Sequence, residues 1–293
     1  MRKLLLAFCA FATICSAGAQ WKPAGDKIKT DWAEKVDPRN VLPEYPRPGM
    51  ERADWQNLNG EWEYAILPKG QAEPTSFDGN ILVPFAVESS LSGVQKEVGE
   101  KNELWYKRTF TVPSSWKGKD ILLNFGAVDW KADVFVNDIL IGSHTGGFTP
   151  FSLNITPYLN GKSTHKLVVR VWDPSDKGYQ PRGKQVANPE GIWYTPVTGI
   201  WQTVWIEKVP ECYIGHLKIT PLYDQSSIMI QMEEEHGIKD IDYEVTITAR
   251  KMWPVKASGK TGKPCVIMIP HMRSWSPEDP FLYDLHVRMG EDS

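Results

Sequence analysis

The chain has 293 residues, with 33 Lys and Arg against 36 Asp and Glu, which gives a formal net charge of −3. This balance provides no basic surface of the kind that nucleic-acid binding requires, and no charge block that marks a disordered tail. Hydrophobic residues at 41% and charged residues at 24% are typical of a soluble chain, and the length suggests two domains.

The N-terminal residues have the pattern of a secretory signal peptide. Arg2 and Lys3 form a basic start, and the apolar run at 4–14 is too short to span a bilayer. Small residues at 17–19 predict cleavage before Gln20. No later stretch has the ~20 apolar residues of a membrane helix. We therefore predict an exported protein, periplasmic or secreted, with no membrane partner.

The cysteines and histidines predict no metal site. Cys9 and Cys15 would leave with the signal peptide, and Ile14 fits a lipoprotein site at Cys15 poorly. Cys212 and Cys265 remain, and an oxidising compartment permits either a bridge between them or two separate thiols. The six histidines are scattered without zinc spacing. We expect neither a metal nor a cofactor.

Alternation of apolar and polar residues dominates the first two thirds of the chain and predicts β-strands. Asn137 and Asp138 are suited to a two-residue hairpin turn, because both tolerate left-handed backbone angles. No long amphipathic helical stretch is present, so we predict an all-β sandwich. The predicted strands are 104–112, 120–125, 132–136, 139–141, 165–171 and 201–206.

The pattern changes near 208–211, beyond which a second sandwich is predicted. Its strands are expected at 214–220, 227–232, 241–249, 266–269 and 282–287. About 80 residues is short for an immunoglobulin-like sandwich of ~100. We therefore expect this sandwich to lack its closing strand and to expose a free edge.

Motifs for nucleophilic or nucleotide chemistry are not found. The sequence contains neither a Gly-x-Ser-x-Gly elbow nor a Gly-x-x-x-x-Gly-Lys loop. Gly146 and Gly147 are interpreted as a sharp bend rather than a phosphate site, because no helix follows them. The 13 Trp, 10 Tyr and 10 Phe favour a sugar-binding sandwich, since aromatic faces pack on pyranose rings. Aromatic residues are equally common in sandwich cores.

Nine short sequence blocks follow one another along the chain. They read WQNLNGEW (55–62), VPFAVES (83–89), LSGV (91–94), WYKRTF (105–110), FGAVDW (125–130), VN (136–137), GGFTPF (146–151), TGIWQTVW (198–205) and WSPEDPFLYDL (275–285). In this order they resemble glycoside hydrolase family 2, which contains β-galactosidases and β-glucuronidases. So many blocks in one order make the resemblance specific from about 55 to 285.

The resemblance implies a jelly-roll, galactose-binding-like domain at 51–209 and an incomplete immunoglobulin-like domain at 210–293. An arm at 20–50, ordered or mobile, would precede them. The family's catalytic TIM barrel, with two glutamates ~5–5.5 Å apart, is not present in this sequence. Asn102-Glu103 copies the dipeptide of the family's acid/base motif, but it lies in a jelly-roll strand and is interpreted as coincidence. We expect no glycoside hydrolysis by this chain alone.

Four residues are candidate sugar contacts by the same resemblance. Asp173, after the strand ending in Trp172, is the first choice, with capping of a turn before Pro174 as an equal alternative. Arg182 and Trp193 lie in the following loop, with a surface salt bridge and core packing as their alternatives. Glu88 could reach the barrel, although a hydrogen bond inside the jelly roll is favoured.

Three hypotheses of function follow. The first is the non-catalytic part of an exported family 2 β-glycosidase, which would act with the missing barrel on a β-linked carbohydrate. Among the possible sugars, Asp173 mildly favours a galactoside. The second is a stand-alone carbohydrate-binding protein. The third is a structural sandwich that docks on another subunit or forms a homo-oligomer.

Overall fold

The computed structural model describes residues 21–47 and 49–293. The predicted signal peptide, Cys9 and Cys15 lie outside the described residues. The described chain forms eighteen β-strands and six short 3-10 turns, without an α-helix. None of its helical segments has the length and apolar character needed to cross a membrane. The all-β prediction is confirmed.

The strands are β1 (Trp55–Asn57), β2 (Gly60–Pro68), β3 (Gly79–Val83), β4 (Asn102–Thr111), β5 (Asp120–Phe125), β6 (Val128–Asp129), β7 (Lys131–Val136), β8 (Ile139–Thr145), β9 (Phe151–Asn154), β10 (Thr164–Trp172), β11 (Gly199–Ile200), β12 (Val204–Val209), β13 (Ile214–Leu222), β14 (Ser227–Glu234), β15 (Asp242–Thr248), β16 (Val255–Lys260), β17 (Pro264–Met268) and β18 (Asp284–Arg288). The 3-10 turns are Ala33–Lys35, Ser90–Ser92, Ser114–Trp116, Thr156–Tyr158, Ser175–Lys177 and Tyr223–Gln225.

The first sandwich is a jelly roll whose two large sheets enclose one apolar core. One sheet has the order β1-β12-β5-β9, and the other has the order β3-β2-β4-β10-β7-β8. Successive side chains of a strand point to opposite faces of the sheet. On β10, every second residue therefore points into this core, and Leu167, Val169 and Val171 are fully buried there. Val168 points to the opposite face, where it packs with Trp105. The six-stranded sheet is therefore buried on both faces around its centre.

The predicted hairpin at Asn137 and Asp138 is confirmed. β7 and β8 pair antiparallel up to Val136 and Ile139, and the two turn residues have φ of 50° and 71°. Both angles are left-handed, as a tight hairpin turn requires. The Asn137 amide also donates to the Tyr158 carbonyl at 2.8 Å, which fixes the turn against the chain after β9.

The second sandwich is immunoglobulin-like and has three strands in each sheet. Its sheets have the orders β13-β14-β17 and β16-β15-β18. Ile230, Met232, Val245 and Ile267 form part of the separate core between them. β18 pairs only with β15 among the described strands, which leaves its other edge without a backbone partner.

A buried ionic network joins the two sandwiches. Arg52 donates to both carboxylate oxygens of Asp292 (3.2 and 3.1 Å), to Glu207 of β12 (3.2 Å) and to the Ile214 carbonyl of β13 (2.7 Å). Tyr45 donates to Glu207 at 2.7 Å, so the described part of the N-terminal arm contributes to the same network.

The two remaining cysteines are separate thiols. Cys212 and Cys265 are both free and partly buried. Of the two alternatives that the sequence left open, the structure therefore supports the one without a bridge.

Candidate functional site

Asp173 is buried at the end of β10 and is fully engaged in hydrogen bonds. Only 2% of its surface is exposed. Its carboxylate accepts from the Ser175 backbone N–H at 2.8 Å, the Ser175 hydroxyl at 3.3 Å and the Thr198 hydroxyl at 3.0 Å. Burial raises the pKa of Asp173, and the bonds from Ser175 and Thr198 oppose that rise. The bond from the Ser175 N–H spans Pro174 and fixes the bend between the end of β10 and the 3-10 turn Ser175–Lys177.

Glu88 lies beside Asp173 and shares Thr198 with it. The Thr198 backbone N–H donates to Glu88 Oε2 at 3.0 Å, whereas Glu88 Oε1 is buried without a hydrogen-bond partner. Burial raises the pKa of Glu88 to about 7, against the hydrogen bonds from Thr198, and the charge of Asp173 adds to the rise. The side chain is 3% exposed. A buried carboxyl with one free oxygen is available to a hydroxyl group or another donor.

Asp129 is the third buried carboxyl and was not among the predicted site residues. It ends β6 and is 3% exposed. Burial raises its pKa to about 7, the charges of Asp173 and Glu88 add to the rise, and a hydrogen bond from Gln185 opposes it. Gly147 packs directly on this carboxyl, where any side chain would overlap it. The Gly146–Gly147 bend therefore has a packing role at the cluster.

The carboxyl cluster, defined as Glu88, Asp129 and Asp173, has unusual electrostatics for a sandwich interior. None of the ion pairs within residues 21–47 and 49–293 neutralises it. The charge of Asp173 raises the pKa of both Glu88 and Asp129, and the charge of Glu88 raises that of Asp129. Like charges in a buried space favour the protonated form. The described residues hold no group of three or more His, Cys, Asp or Glu arranged to bind a metal ion. Carboxyl groups that both donate and accept suit a polyol better than a simple cation.

A cavity of about 290 Å³ opens beside the cluster. Glu88 lines it, together with Asn102, Ser175 and Asp176. The cavity is therefore formed by the start of β4 and the turn that follows Asp173. Asn102 and Glu103 themselves make structural bonds: the Asn102 amide donates to the Val98 carbonyl at 2.7 Å, and Glu103 accepts from the Gly70 N–H at 3.1 Å.

The loop between residues 179 and 195 folds back on itself above this region. Gln185 anchors it, because its side chain accepts from the Val197 N–H at 2.7 Å and donates to Asp129. The Tyr194 N–H donates to the Lys184 carbonyl at 2.9 Å, and the Val186 N–H donates to the Tyr194 carbonyl at 3.1 Å. The loop presents aromatic side chains to solvent, with Tyr179 97% and Tyr194 65% exposed.

Two of the predicted contacts, Trp193 and Arg182, lie in this loop rather than in the carboxyl cluster. Trp193 is 41% exposed, so it does not fill the core. Arg182 is partly buried, and its Nε has no hydrogen-bond partner. It forms no ion pair with any residue in the described ranges, so the salt-bridge alternative is not realised there. Of the four predicted residues, the structure brings together Asp173 and Glu88 directly and places the other two on the adjoining loop.

Comparison with known proteins identifies the first sandwich. Residues 55–210 match the family described as "Glycosyl hydrolases family 2, sugar binding domain". The chain is 24% identical over 261 residues to a β-galactosidase of Thermoanaerobacter pseudethanolicus, covering 80% of this chain and 33% of that protein. It is 26% identical over 278 residues to a β-glucuronidase of Paenibacillus borealis, covering 84% and 44%.

Solved structures agree on the fold. The β-glucuronidase of Lactobacillus rhamnosus superposes with a TM-score of 0.66 at 23% identity, over 84% of this chain and 43% of that one. The β-glucuronidase of Faecalibacterium prausnitzii gives 0.63 at 24% identity, over 85% and 46%. The chain thus spans between a third and just under half of the length of these relatives.

Proposed function

The chain belongs to glycosyl hydrolase family 2, and from this premise we propose that it is the non-catalytic, carbohydrate-binding part of an exported β-glycosidase. It supplies a sugar-binding jelly roll and an immunoglobulin-like scaffold. Its proposed partner is the catalytic TIM barrel that the family resemblance implies. Export rests on the signal-like pattern at 1–19.

The carboxyl cluster beneath the aromatic loop is the observation that carries this proposal. Burial of three carboxyl groups without a cation is costly, so a scaffold alone gives no reason to keep them. A sugar offers hydroxyl groups to such carboxyls and a C–H face to aromatic rings. Glu88 Oε1 is the free acceptor, and Trp193 with its neighbours is the exposed aromatic surface.

The proposed ligand is a β-galactoside. Asp173 follows the strand that ends in Trp172, the position at which the family's β-galactosidases place a glycone-contacting aspartate. The relatives include proteins named β-galactosidase and β-glucuronidase, so the galactoside rests on Asp173 rather than on their names. In this protein Asp173 would exchange its Thr198 or Ser175 bond for a sugar hydroxyl.

The second candidate is a carbohydrate-binding protein that works without catalysis. The cavity beside Glu88 favours it, because 290 Å³ is open without any further domain. Both functions require sugar binding, and they differ in the affinity of the isolated chain. A half-site buries little ligand surface, so the first function predicts weak binding.

The test is a titration of the purified chain with methyl β-galactoside, followed by ligand-observed NMR. We expect weak binding that Asp173→Asn removes, because the amide loses acceptors that Asp173 provides. Asp224→Asn, in an exposed turn, is the matched control and should bind as the parent chain does. Nitrophenyl β-galactoside should not be turned over. Binding that survives Asp173→Asn, no binding at all, or inhibitor-sensitive hydrolysis would each contradict the proposal.

A further inference from the structure

A second cavity lies in the immunoglobulin-like sandwich, remote from the carboxyl cluster in sequence. Its volume is about 710 Å³, within the range of about 300–1,000 Å³ that is typical of ligand sites. Two connections form it: the one between β15 and β16, and the one between β17 and β18. Its lining includes Arg250, Lys251, Trp253, Arg273, Phe281 and Tyr283.

The aromatic wall of this cavity is held in place. Phe281 and Tyr283 meet edge to face with ring centroids 5.0 Å apart. The Arg273 N–H donates to the Tyr283 hydroxyl at 2.7 Å, which fixes the position of that ring. Trp253 stands on the rim with 90% of its surface exposed. A large aromatic side chain so exposed beside a cavity is a usual feature of a binding surface.

The charge of the cavity is positive, against the net negative charge of the chain. Arg250, Lys251 and Arg273 line it, and no Asp or Glu is part of the lining. Arg250 and Lys251 form no ion pair with the described residues, so both remain available to a ligand. Arg273 pairs with Asp279 at 2.6 Å and stacks over Phe281 with its guanidinium 4.1 Å from the ring centroid.

We infer that this basic aromatic cavity binds an anionic oligosaccharide, one whose sugar rings carry carboxylate or sulfate groups. The cations would pair with the acidic groups, and the rings of Trp253, Phe281 and Tyr283 would pack on the C–H faces of the sugars. An acidic peptide would satisfy the cations but has no flat apolar face for the exposed indole. That the ligand is anionic is inferred from the cations that line the cavity. That it is a saccharide rests on the proposed function.

The experiment is calorimetric titration of the purified chain with trigalacturonate, with neutral β-1,4-galactotriose and with inorganic sulfate. Trigalacturonate should bind, and its affinity should fall at least tenfold between 50 and about 300 mM salt, because the contacts are charge-assisted. Galactotriose and sulfate should each bind at least tenfold more weakly than trigalacturonate. Galactotriose has no acidic group for the cations, and sulfate has no sugar face for the aromatic rings. Equal binding of sulfate alone, or of a tetra-glutamate peptide, would overturn the saccharide assignment.

Substitutions locate the site and separate this inference from the proposed function. Trp253→Ala and Arg250→Ala should each weaken trigalacturonate binding at least fivefold. Trp32→Ala, another exposed indole at 70% exposure, and Lys117→Ala, an exposed cation, should leave it unchanged. Asp173→Asn should also leave it unchanged, so loss of galactoside binding and loss of trigalacturonate binding report on different sites. Trigalacturonate binding that is absent, or that Trp253→Ala and Arg250→Ala leave intact, would refute the inference.

Discussion

Glu88 makes the stability of this protein depend on pH. Burial raises its pKa from the ordinary 4.5 to about 7, so the folded chain holds this proton more tightly than the unfolded chain. The stabilisation is complete below about pH 4.5 and is lost as pH rises through 7. For a shift of this size the loss is about 3 kcal/mol.

We predict that Glu88→Gln removes this part of the pH dependence. The amide cannot ionise, and its oxygen can still accept from the Thr198 N–H. Urea unfolding at several pH values between 4 and 8 should give a smaller fall in the free energy of unfolding than in the parent chain. Glu190→Gln, at an exposed loop position, should keep the parent slope. Parallel curves for Glu88→Gln and the parent would contradict the predicted pKa of Glu88.

At the level of single residues, the sequence predicts part of the candidate site. Asp173 and Glu88 were proposed from the family's ordered blocks, and the structure places them on one shared residue, Thr198. Asp129 lies in the FGAVDW block (125–130), but nothing in that block marks its carboxyl as a site residue. Its significance comes from two carboxyl groups that are distant in sequence, and only the fold brings them near it.

Among the elements, the short pair β6–β11 depends on a glycine. Gly199 pairs with Asp129 and has φ of +93°. A Cβ at this position would overlap the Tyr106 hydroxyl and lie 3.0 Å from the Leu104 side chain. Tyr106 is fully buried and its hydroxyl accepts from the Ile200 N–H at 3.2 Å. The Tyr106 ring therefore cannot move aside, and the β6–β11 pair tolerates no side chain at position 199.

We predict that Gly199→Ala destabilises the protein far more than Gly118→Ala. Gly118 also has a positive φ, of +81°, but a Cβ there meets nothing within 4 Å. The backbone conformation alone should cost Gly118→Ala about 1–2 kcal/mol. Gly199→Ala should cost a further ~1–3 kcal/mol from the overlap with Tyr106. Urea midpoints of the two variants measure the difference, and equal midpoints would show that the core around Tyr106 has room for a methyl group.

Strand prediction succeeded for the short apolar run of β5 and failed where tertiary contacts decide. The strand predicted at 120–125 coincides with β5. The strand predicted from Trp201 begins three residues later, at Val204. Trp201 instead donates its N–H to the Ala127 carbonyl at 3.3 Å and its indole N–H to Gly147 at 2.7 Å. β16 (Val255–Lys260) was not predicted, because its sequence of VKASGK has few residues that favour a strand.

On the scale of the whole molecule, Arg52 is the residue that connects the most distant parts of the chain. It is 4% exposed and lies between Glu207 of the jelly roll and Asp292, which follows the last strand of the second sandwich. Burial lowers the pKa of Arg52, but its hydrogen bonds to Asp292 and the charges of Asp292 and Glu207 raise it above its ordinary value. The guanidinium is therefore charged at every accessible pH. Among the described residues it is the only cation paired with Asp292, whereas Glu207 also pairs with Arg47.

We predict that Arg52→Met destabilises the protein by about 3–5 kcal/mol, although methionine fills most of the same volume. The loss comes mainly from leaving the buried carboxylate of Asp292 without a cation, since Glu207 keeps Arg47 and the Tyr45 hydroxyl as partners. Arg39→Met is the matched control, because Arg39 pairs with Asp37 at the surface, with side-chain exposures of 89% and 45%. This variant should leave the free energy of unfolding nearly unchanged.

Calorimetry of the same two variants tests whether this network couples the sandwiches. Each sandwich has its own core, so each could unfold alone if the junction were weak. In the parent chain and in Arg39→Met the sandwiches should unfold in one transition, whereas Arg52→Met should show the smaller immunoglobulin-like sandwich unfolding first. The contrary result for Arg52→Met is a single transition close to that of the parent chain. That result would show that the ionic network contributes little and that the apolar contacts of Met50 with the second core hold the junction.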